Sequence, residues 1–536
     1  MKKTIRLSIV LASLMLLATL SQLAYARYAS TEPWPMYRHD LARTGTITSA
    51  APDNNQTLLW SHGRSTTKPH IVVDGMVIII SSTTVYALDE TTGVEIWNSI
   101  SFPNALTTTP TYNDGRIYIG SGGGYMYCLN ATTGTKIWEY PAQYSPSIES
   151  SPAIHNGKVY FGTNAGYMYS LNATTGLYIS QYGPTPDDIR TAPTISGDLL
   201  YFGCDDGKLY ALNISQTLFS LKWTYTTSNP VRCTPTVDAE RIYFGSQSID
   251  HSVFALNKTT GTLVWKYTFE YAYTYIDNPM VVADGMVYVA PSSGTYKMIA
   301  LYANATPGTY GENDPAIQFW SQTFTYNPTP PVVADSKIYF GASYKLYALD
   351  ITTGHTIWTY DFNPYYPEDP IVADGRLFVR TSSTTFCFGP PFPPVTYYYT
   401  VTPLLGYTYT VELTLNATPS NQLNMAGLVT LKKISYSVTG IDGTTGMSNI
   451  TVPNEMLGGP YTVTVDGGLP IDPPGVITST NATHTSLYFT YMHSSHLIEI
   501  VGTTVVPEYP MTNLLTLLIM TSLLAIALAR RKSFKI

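Results

Sequence analysis

The sequence predicts an all-β protein: an eight-bladed β-propeller closed by an N-terminal strand, then a small β-sandwich and a C-terminal transmembrane helix. Three observations lead to this fold class. Similar stretches of roughly forty residues follow one another between Pro69 and Phe388, a period typical of one four-stranded propeller blade. Each stretch contains a hairpin signal. One unpaired strand near the N-terminus matches a strand that is missing from the last repeat.

Each repeat begins with a proline and continues as two alternating runs joined by a tight turn such as Asp114-Gly115. Asp-Gly favours a hairpin because both central residues need positive φ. A third strand then ends in a small residue, an Asx turn, Thr-Gly and Trp, as in the segment from Cys128 to Trp138. The starting prolines are Pro69, Pro110, Pro152, Pro193, Pro235, Pro279, Pro331 and Pro370.

The eighth repeat is incomplete, and the chain itself supplies the missing piece. Naming the strands A to D from the hub outwards, the repeat after Pro370 has strands A to C and then meets Pro390 and Pro391. Residues 57–60 read as a D strand with no A to C strands before it. Placing this strand in the gap closes the ring and removes an open edge that could template aggregation.

The repeat resembles the tryptophan-docking motif of the quinoprotein-dehydrogenase-like, or PQQ-repeat, propellers, and residues 34–45 resemble the lead-in of that family. The resemblance implies that each Trp lies flat over a turn glycine of the next blade. Two blades depart from the pattern: Ser180 replaces one Trp, and the C–D turn of the sixth blade is stretched over residues 302–319. The predicted docking residues are Trp60, Trp97, Trp138, Trp223, Trp265, Trp320, Trp358, Gly93, Gly134, Gly261 and Gly354.

The resemblance also implies an enzyme alternative, in which pyrroloquinoline quinone (PQQ) and calcium sit at the ring centre with a vicinal cysteine pair. The chain has no adjacent cysteines and no Cys-x-x-Cys-His haem site. The acidic run Asp205-Asp206-Gly207 is expected in a turn. We therefore expect no catalytic residue, no quinone or other cofactor and no metal site.

Four cysteines divide into two classes. Cys128 and Cys387 occupy the small-residue position of the repeat and are expected to pack as small buried hydrophobes. Cys204 and Cys233 are expected on one face of the ring, where they could form a disulfide if the protein is exported.

Both ends of the chain predict export and anchoring. Lys2, Lys3 and Arg6 precede an apolar run and an Ala-Tyr-Ala cleavage site, as in a signal peptide. Residues 511–529 carry no charge, are long enough to cross a bilayer and precede Arg-Arg-Lys, which predicts a membrane helix with the bulk of the chain outside. The preceding Val-Pro-Glu-Tyr-Pro resembles the Pro-Glu-Phe-type anchoring signals of archaeal surface proteins; whether this tail is retained or cleaved stays open.

The remaining sequence predicts a stalk. A proline-rich joint is followed by alternating segments with Gly and Pro turns, typical of an antiparallel β-sandwich. We therefore divide the chain into signal peptide, propeller, linker, sandwich, sorting motif with membrane helix, and cytoplasmic basic tail, at residues 1–26, 27–389, 390–394, 395–506, 507–529 and 530–536.

Charge and glycosylation motifs agree with an outer-surface location. The chain has 29 basic and 36 acidic side chains and no basic stripe, which argues against a nucleic-acid partner. Nine Asn-Xaa-Ser/Thr sequons predict glycosylation, five of them in C–D turns, although Asn also suits such turns as a cap. The sequons are Asn55, Asn130, Asn172, Asn213, Asn257, Asn304, Asn416, Asn449 and Asn481.

Three functions remain open from the sequence. The favoured hypothesis is a non-enzymatic, cell-surface propeller, anchored in the membrane by its C-terminal helix, whose broad face binds a protein or a surface carbohydrate. This hypothesis rests on fold-level analogy. The alternatives are a PQQ-dependent dehydrogenase and a purely structural component of a surface coat.

Overall fold

The computed structural model describes two compact units, each treated by itself. The first comprises residues 32–48, 51, 57–143, 146–247 and 249–389. The second comprises residues 395–401, 409–415, 418–419, 433–439, 445–454, 456–467, 476–492, 495–502 and 504–505. The predicted signal peptide, linker, sorting motif and membrane helix lie outside these residues. No helix among the described residues is long and apolar enough to span a membrane.

Eight antiparallel sheets, the blades, follow one another in the first unit, and each has the strand order A-B-C-D. In blades one to four the strands are Ile71–Val73, Met76–Ser81, Thr84–Asp89 and Glu95–Asn98; Thr111–Asn113, Arg116–Gly120, Tyr125–Asn130 and Lys136–Pro141; Ala153–His155, Lys158–Gly162, Met168–Asn172 and Tyr178–Tyr182; Thr194–Ser196, Leu199–Gly203, Lys208–Asn213 and Ser220–Thr226.

Blades five to eight continue the same pattern. Their strands are Thr236–Val237, Arg241–Gly245, Ser252–Asn257 and Leu263–Thr268; Val281–Ala283, Met286–Val289, Lys297–Tyr302 and Gln318–Thr323; Val332–Ala334, Lys337–Ala342, Lys345–Asp350 and Thr356–Asp361; Glu368–Ala373, Arg376–Arg380, Thr384–Phe388 and, from the N-terminal end, Leu58–Gly63.

The predicted closing strand is present. Leu58–Gly63 pairs antiparallel with strand C of blade eight, with Leu58 opposite Phe388 and Trp60 opposite Cys387. The unpaired strand therefore completes the last sheet, so that this strand C is not left as an open edge.

Two short parallel strands, which the sequence did not predict, extend two of the blades. Thr46–Ile47 pairs with strand A of blade seven at the hub. Gly308–Gly311 comes from the long C–D turn of blade six and pairs with strand D of blade five, placing Trp265 opposite Gly308. The stretched turn thus covers the outer edge of the preceding blade.

The ring has two faces with different connections. On the turn face, the C–D turns bond to the A–B turns, as where Ala131 N–H donates to the Gly115 carbonyl at 2.9 Å. On the loop face, the D–A loops bond to the B–C loops, as where Ile189 N–H donates to the Thr163 carbonyl at 3.0 Å. Apolar side chains from neighbouring blades fill the space between sheets; Trp138 of blade two and Phe161 of blade three share one buried cluster.

In the second unit, two sheets share one hydrophobic core. Their strand orders are Val395–Val401, Tyr409–Leu415, Thr445–Pro453, His484–Met492 and Ile477–Thr480 in one sheet, and Thr418–Pro419, Lys433–Thr439, Ser495–Val501 and Thr462–Val465 in the other. A short pair joins Leu457–Gly458 to Thr504–Val505. The core holds Leu413 and Phe489 from the first sheet and Ile434 and Ile498 from the second, as in a sandwich.

Candidate functional site

The structure places the predicted tryptophans against the turns of the following blades. Gly93, Gly134, Gly261 and Gly354 have positive φ, and a Cβ at any of them would come within 2.6 Å of an indole carbon. The indoles at these turns belong, in the same order, to Trp60, Trp97, Trp223 and Trp320. Trp138 lies in the same way over Gly176, which we did not include among the docking residues, although the Asn-Ala-Thr-Thr-Gly turn was visible in the sequence.

Each of these indoles is also held by a hydrogen bond and by a small partner across the strand. The Trp60 Nε1–H donates to the Glu90 carbonyl at 2.8 Å, and the other indoles donate to the equivalent carbonyl of the next blade at up to 3.1 Å. The cross-strand neighbours are Ala or Cys, with Trp138 opposite Cys128. The small residue opposite each Trp therefore makes room for the indole; it lies ten positions earlier for Trp97 and Trp138.

The junction between blades three and four lacks both halves of this contact. Ser180 takes the Trp position, and Thr217 takes the position of the turn glycine in blade four. The two residues remain linked, because Ser180 Oγ donates to the Thr217 carbonyl at 2.9 Å. The aromatic contact comes from Phe219 of blade four, whose ring centroid lies 6.0 Å from that of Tyr160. Loss of the indole is thus matched by loss of the glycine.

The two remaining predicted docking tryptophans depart from this pattern. Trp265 is fully buried and donates to the Ala303 carbonyl at 3.2 Å beside the extra strand of blade five. Trp358 Nε1 has no hydrogen-bond partner among the described residues.

The chain before the closing strand occupies the centre of the ring. We call residues 32–47 the axial segment. Its main chain bonds to seven of the eight blades, for example in both directions with Val72 and from Ile195 N–H to the Leu41 carbonyl at 2.8 Å. In blade eight the partner is Asp374, in the turn after strand A, and in blade three the bond runs from the Arg43 side chain to the Pro152 carbonyl. The propeller is therefore filled along its axis by its own N-terminal segment.

Two buried arginines fix this segment. Arg43 is fully buried and donates to the carbonyls of Pro193, Pro152 and Tyr37 at 2.5–3.3 Å. Arg38 donates to the Pro331 carbonyl at 2.6 Å and to that of Met280 at 3.2 Å. Burial lowers the pKa of Arg43 to about 10, so the guanidinium stays charged at neutral pH. The prolines that begin the repeats therefore also present carbonyls to the axial segment.

A charged cluster lies on the loop face over blades two to five. Arg190 donates to Glu149 at 2.6 Å, to Asp188 at 2.5 Å and to Asp205 at 3.1 Å. Arg232 donates to both oxygens of Asp205, at 2.8 and 3.0 Å. Burial alone would lower the pKa of Arg190, but its hydrogen bond to Glu149 and the neighbouring carboxylates raise it above its usual range. The cluster is therefore internally paired.

The same cluster includes the carboxylates nearest to a metal-binding arrangement. Asp187, Asp188 and Asp205 place ligand atoms within 4.8 Å of one another. The guanidinium of Arg190, however, already bonds to two of the three. Arg190 already neutralises the carboxylates to which a metal ion would bind. The residues therefore do not fit a calcium ion.

The predicted bridge between Cys204 and Cys233 is not formed. Both residues are free and fully buried, and each belongs to a different interblade core. Cys204 Sγ contacts Thr185, whereas Cys233 Sγ contacts the Asn278 carbonyl. The shared face was predicted correctly, but each thiol points between its own pair of blades. Burial raises the pKa of both thiols to about 12.

The predicted glycosylation sites fall in several environments. In the C–D turns, Asn130 and its equivalents accept backbone N–H groups with Oδ1, as from Thr132 at 2.9 Å, and these bonds leave Nδ2 unused. Asn449 instead lies within a strand and is half-buried. The turn-face sequons are Asn130, Asn172, Asn213, Asn257 and Asn304, Asn481 is exposed in the second unit, and Asn55 and Asn416 lie outside the described residues.

Comparison with known proteins agrees with this geometry. Residues 81–230, 187–303 and 314–388 match the sequence profile of the family described as outer membrane protein assembly factor BamB. No curated protein matches the sequence.

Solved structures share the fold at low identity. BamB from Moraxella catarrhalis is 18% identical, with a TM-score of 0.51, over 63% of this chain and 98% of that one. The quinohemoprotein alcohol dehydrogenase from Comamonas testosteroni is 15% identical, with a TM-score of 0.55, over 69% of this chain and 83% of that one. The predicted resemblance is thus confirmed, and because the profile covers more than half of the sequence, the chain belongs to the PQQ-repeat β-propeller family.

Proposed function

We propose that this chain is an exported, membrane-anchored and non-catalytic propeller that binds a protein or a surface carbohydrate through its loop face. The observation that carries the proposal is the axial segment. It fills the ring centre with main chain bonded to seven blades and with the guanidinium groups of Arg38 and Arg43, of which Arg43 bonds to blade three.

The residues at this centre do not fit the quinone and calcium that the fold family implies. All three nitrogens of Arg43 and the two terminal nitrogens of Arg38 donate to main-chain carbonyls, while Arg38 Nε has no partner among the described residues. These two buried cations oppose the binding of a calcium ion beside them. Trp34, only 2% exposed, packs in the same segment and forms a bridge with Val72. The ring centre is therefore not the binding site in this proposal, and the loops of the loop face bind the partner.

The loop face suits recognition because its loops are held by a rigid scaffold. The sequons of the C–D turns lie on the opposite face, as does Gly389, the last described residue before the second unit; its N–H donates to the Thr57 carbonyl. Glycans on the turn face would leave the loop face accessible. The matching family is described as an outer membrane protein assembly factor, which supports a role in assembly or binding for this chain.

Site-directed blocking tests the proposal. Ser228→Cys on the loop face and Leu177→Cys on the turn face each introduce one exposed thiol, while the four native cysteines are buried. Each variant is labelled with a polyethylene glycol maleimide as full-length protein. It is then added to cells of the organism from which the protein comes, after deletion of its gene. We expect the loop-face label to abolish cell binding and the turn-face label to leave it unchanged. Equal binding by both would overturn the proposal.

A separate titration addresses the enzyme alternative. The full-length protein in detergent is mixed with PQQ and calcium, and its absorption spectrum is recorded after gel filtration. We expect no quinone to elute with the protein. A stoichiometric absorbing complex would contradict a non-catalytic role.

A further inference from the structure

One sector of the loop face is rich in exposed tyrosine. The side chains come from the D–A loops and the one long B–C loop around blades six and seven, and they are 46–64% exposed. We call this set the tyrosine patch; it consists of Tyr271, Tyr273, Tyr296, Tyr326, Tyr365 and Tyr366.

Hydrogen bonds between neighbouring loops hold the patch together. Tyr275 N–H donates to the Ser293 carbonyl at 3.1 Å, and Phe324 N–H donates to the Tyr296 carbonyl at 2.6 Å. Further round the ring, Thr329 N–H donates to the Gly341 carbonyl at 2.8 Å. The loops that carry the tyrosines are therefore ordered relative to one another.

The rings themselves are partly pre-arranged. The centroids of Tyr271 and Tyr273 lie 5.8 Å apart. The ring of Tyr366 packs against that of Tyr344 with centroids 4.5 Å apart and a tilt of 34°, and its hydroxyl donates to the Tyr344 hydroxyl at 3.0 Å. Fixed aromatic side chains cost little conformational entropy when they enter an interface.

The patch carries little charge. The loops at residues 290–296 and 324–331 contain no charged side chain. The charged cluster elsewhere on the loop face is already paired through Arg190 and Arg232. Glu270 is exposed beside Tyr271, whereas Glu368 and Asp369, close to Tyr366, are paired with Arg380. The two central loops of the patch therefore offer no charge to a strongly charged partner, whereas an uncharged surface can meet them without a desolvation penalty.

The exposed area fits a weak interface. A tyrosine offers on the order of 200 Å² for burial, so six that are half exposed contribute about 600 Å². Two such patches brought together would bury about 1,200 Å², the lower limit of a standard protein interface. Tyrosine is also among the residues enriched at such interfaces.

We infer that the tyrosine patch is the docking surface for a second copy of this chain, which pairs through the same patch about a two-fold axis. The two central loops of the patch are uncharged and can therefore meet their own copies, whereas like charges there would repel each other. The sequons of the C–D turns lie on the opposite face and do not obstruct the contact. The inference goes beyond the proposed function, which needs the loop face but no dimer.

The test uses purified full-length protein in detergent, with sedimentation velocity measured over a hundredfold concentration range. We expect a concentration-dependent dimer. Tyr326→Arg, in the middle loop of the patch, should weaken dimerisation at least tenfold, because it places like charges opposite each other. Leu177→Arg is the matched control, because it also replaces an exposed hydrophobic side chain by arginine, but on the turn face, where Leu177 is 68% exposed. It should leave the dimer unchanged.

Cross-linking gives a second measurement. Tyr326→Cys should form an intermolecular disulfide on mild oxidation, whereas Leu177→Cys should not; the four native thiols are buried. A monomer at every concentration, or a dimer insensitive to Tyr326→Arg, would overturn the inference. The inference would also be overturned if the monomer bound immobilised mannan and Tyr326→Arg abolished this binding, because the patch would then be a carbohydrate site. None of these results alters the blocking experiment on which the proposed function depends.

Discussion

At the scale of single residues, blade docking depends on the pairing of one indole with one glycine. Trp138→Ala should lower the free energy of unfolding of the propeller by about 3–5 kcal/mol, as for other buried aromatic side chains. Gly176→Ala should also destabilise, because a Cβ would lie 2.6 Å from the Trp138 ring. Urea denaturation followed by tryptophan fluorescence measures both.

The control for the glycine is Gly115→Ala. Gly115 has the same φ of +71° as Gly176, but a Cβ there would meet nothing within 4 Å. Its substitution should therefore cost only the left-handed backbone strain, about 1–2 kcal/mol. Equal losses at the two glycines would mean that the indole contact contributes nothing.

A buried histidine should make the ring sensitive to acid. His70 is 2% exposed beside Thr385, and burial, with Arg380 nearby, lowers the pKa of the imidazole to about 3. Because the unfolded chain takes up the proton near pH 6.5, His70 stabilises the fold fully above that pH. Between pH 6.5 and 3 this stabilisation should fall by about 1.4 kcal/mol per pH unit.

His70→Gln keeps a polar side chain that can meet Thr385 but removes the titration. Its urea midpoint should therefore change less between pH 7.5 and pH 5 than the midpoint of the unsubstituted protein. Identical pH profiles would show that His70 is not the group responsible.

At the scale of elements, the axial segment should stabilise the ring through Arg43. Arg43→Met removes the donors to Pro193, Pro152 and Tyr37. The Pro152 carbonyl still accepts from Thr111, but the carbonyls of Pro193 and Tyr37 lose the side-chain donor that Arg43 supplies. Each lost hydrogen bond to a charged group is worth about 1.5–3 kcal/mol. We expect a marked fall in the denaturation midpoint and faster proteolysis of the N-terminal segment.

Arg232→Met is the matched control for this substitution. Arg232 is 43% exposed in its side chain and pairs only with the charged cluster through Asp205. Its loss should cost about 0–1 kcal/mol, as for other surface ion pairs. An Arg43 variant as stable as this one would exclude a structural role for the axial segment.

The elements also differ in how far the sequence could predict them. Blades and their closing strand follow from local patterns, namely Asp-Gly hairpins and the small-to-Trp spacing. The axial segment does not, because its bonds join residues as distant as Arg38 and Pro331. The strand Gly308–Gly311 was missed because it has no alternating pattern and pairs with another blade. The tyrosine patch was hidden among 44 tyrosines, since only the loop geometry brings these six together.

At the scale of the whole molecule, closure distinguishes one blade junction from the others. The closing strand brings Trp60 from the N-terminal end onto Gly93, whereas Trp320 lies on Gly354 between two blades that are continuous in sequence. Local stability at the two junctions should be similar. The consequences of breaking them should differ, because only the first holds the ends of the ring together.

Trp60→Ala should therefore loosen Leu58–Gly63 from blade eight and expose the edge of Thr384–Phe388, a template for intermolecular pairing. Amide hydrogen exchange in Thr384–Phe388 should accelerate, and light scattering should rise with protein concentration. Trp320→Ala should lower stability without either effect, because the sheets that flank it keep their covalent connections. Equal exchange and equal scattering in the two variants would mean that the ring does not depend on its N-terminal strand for closure.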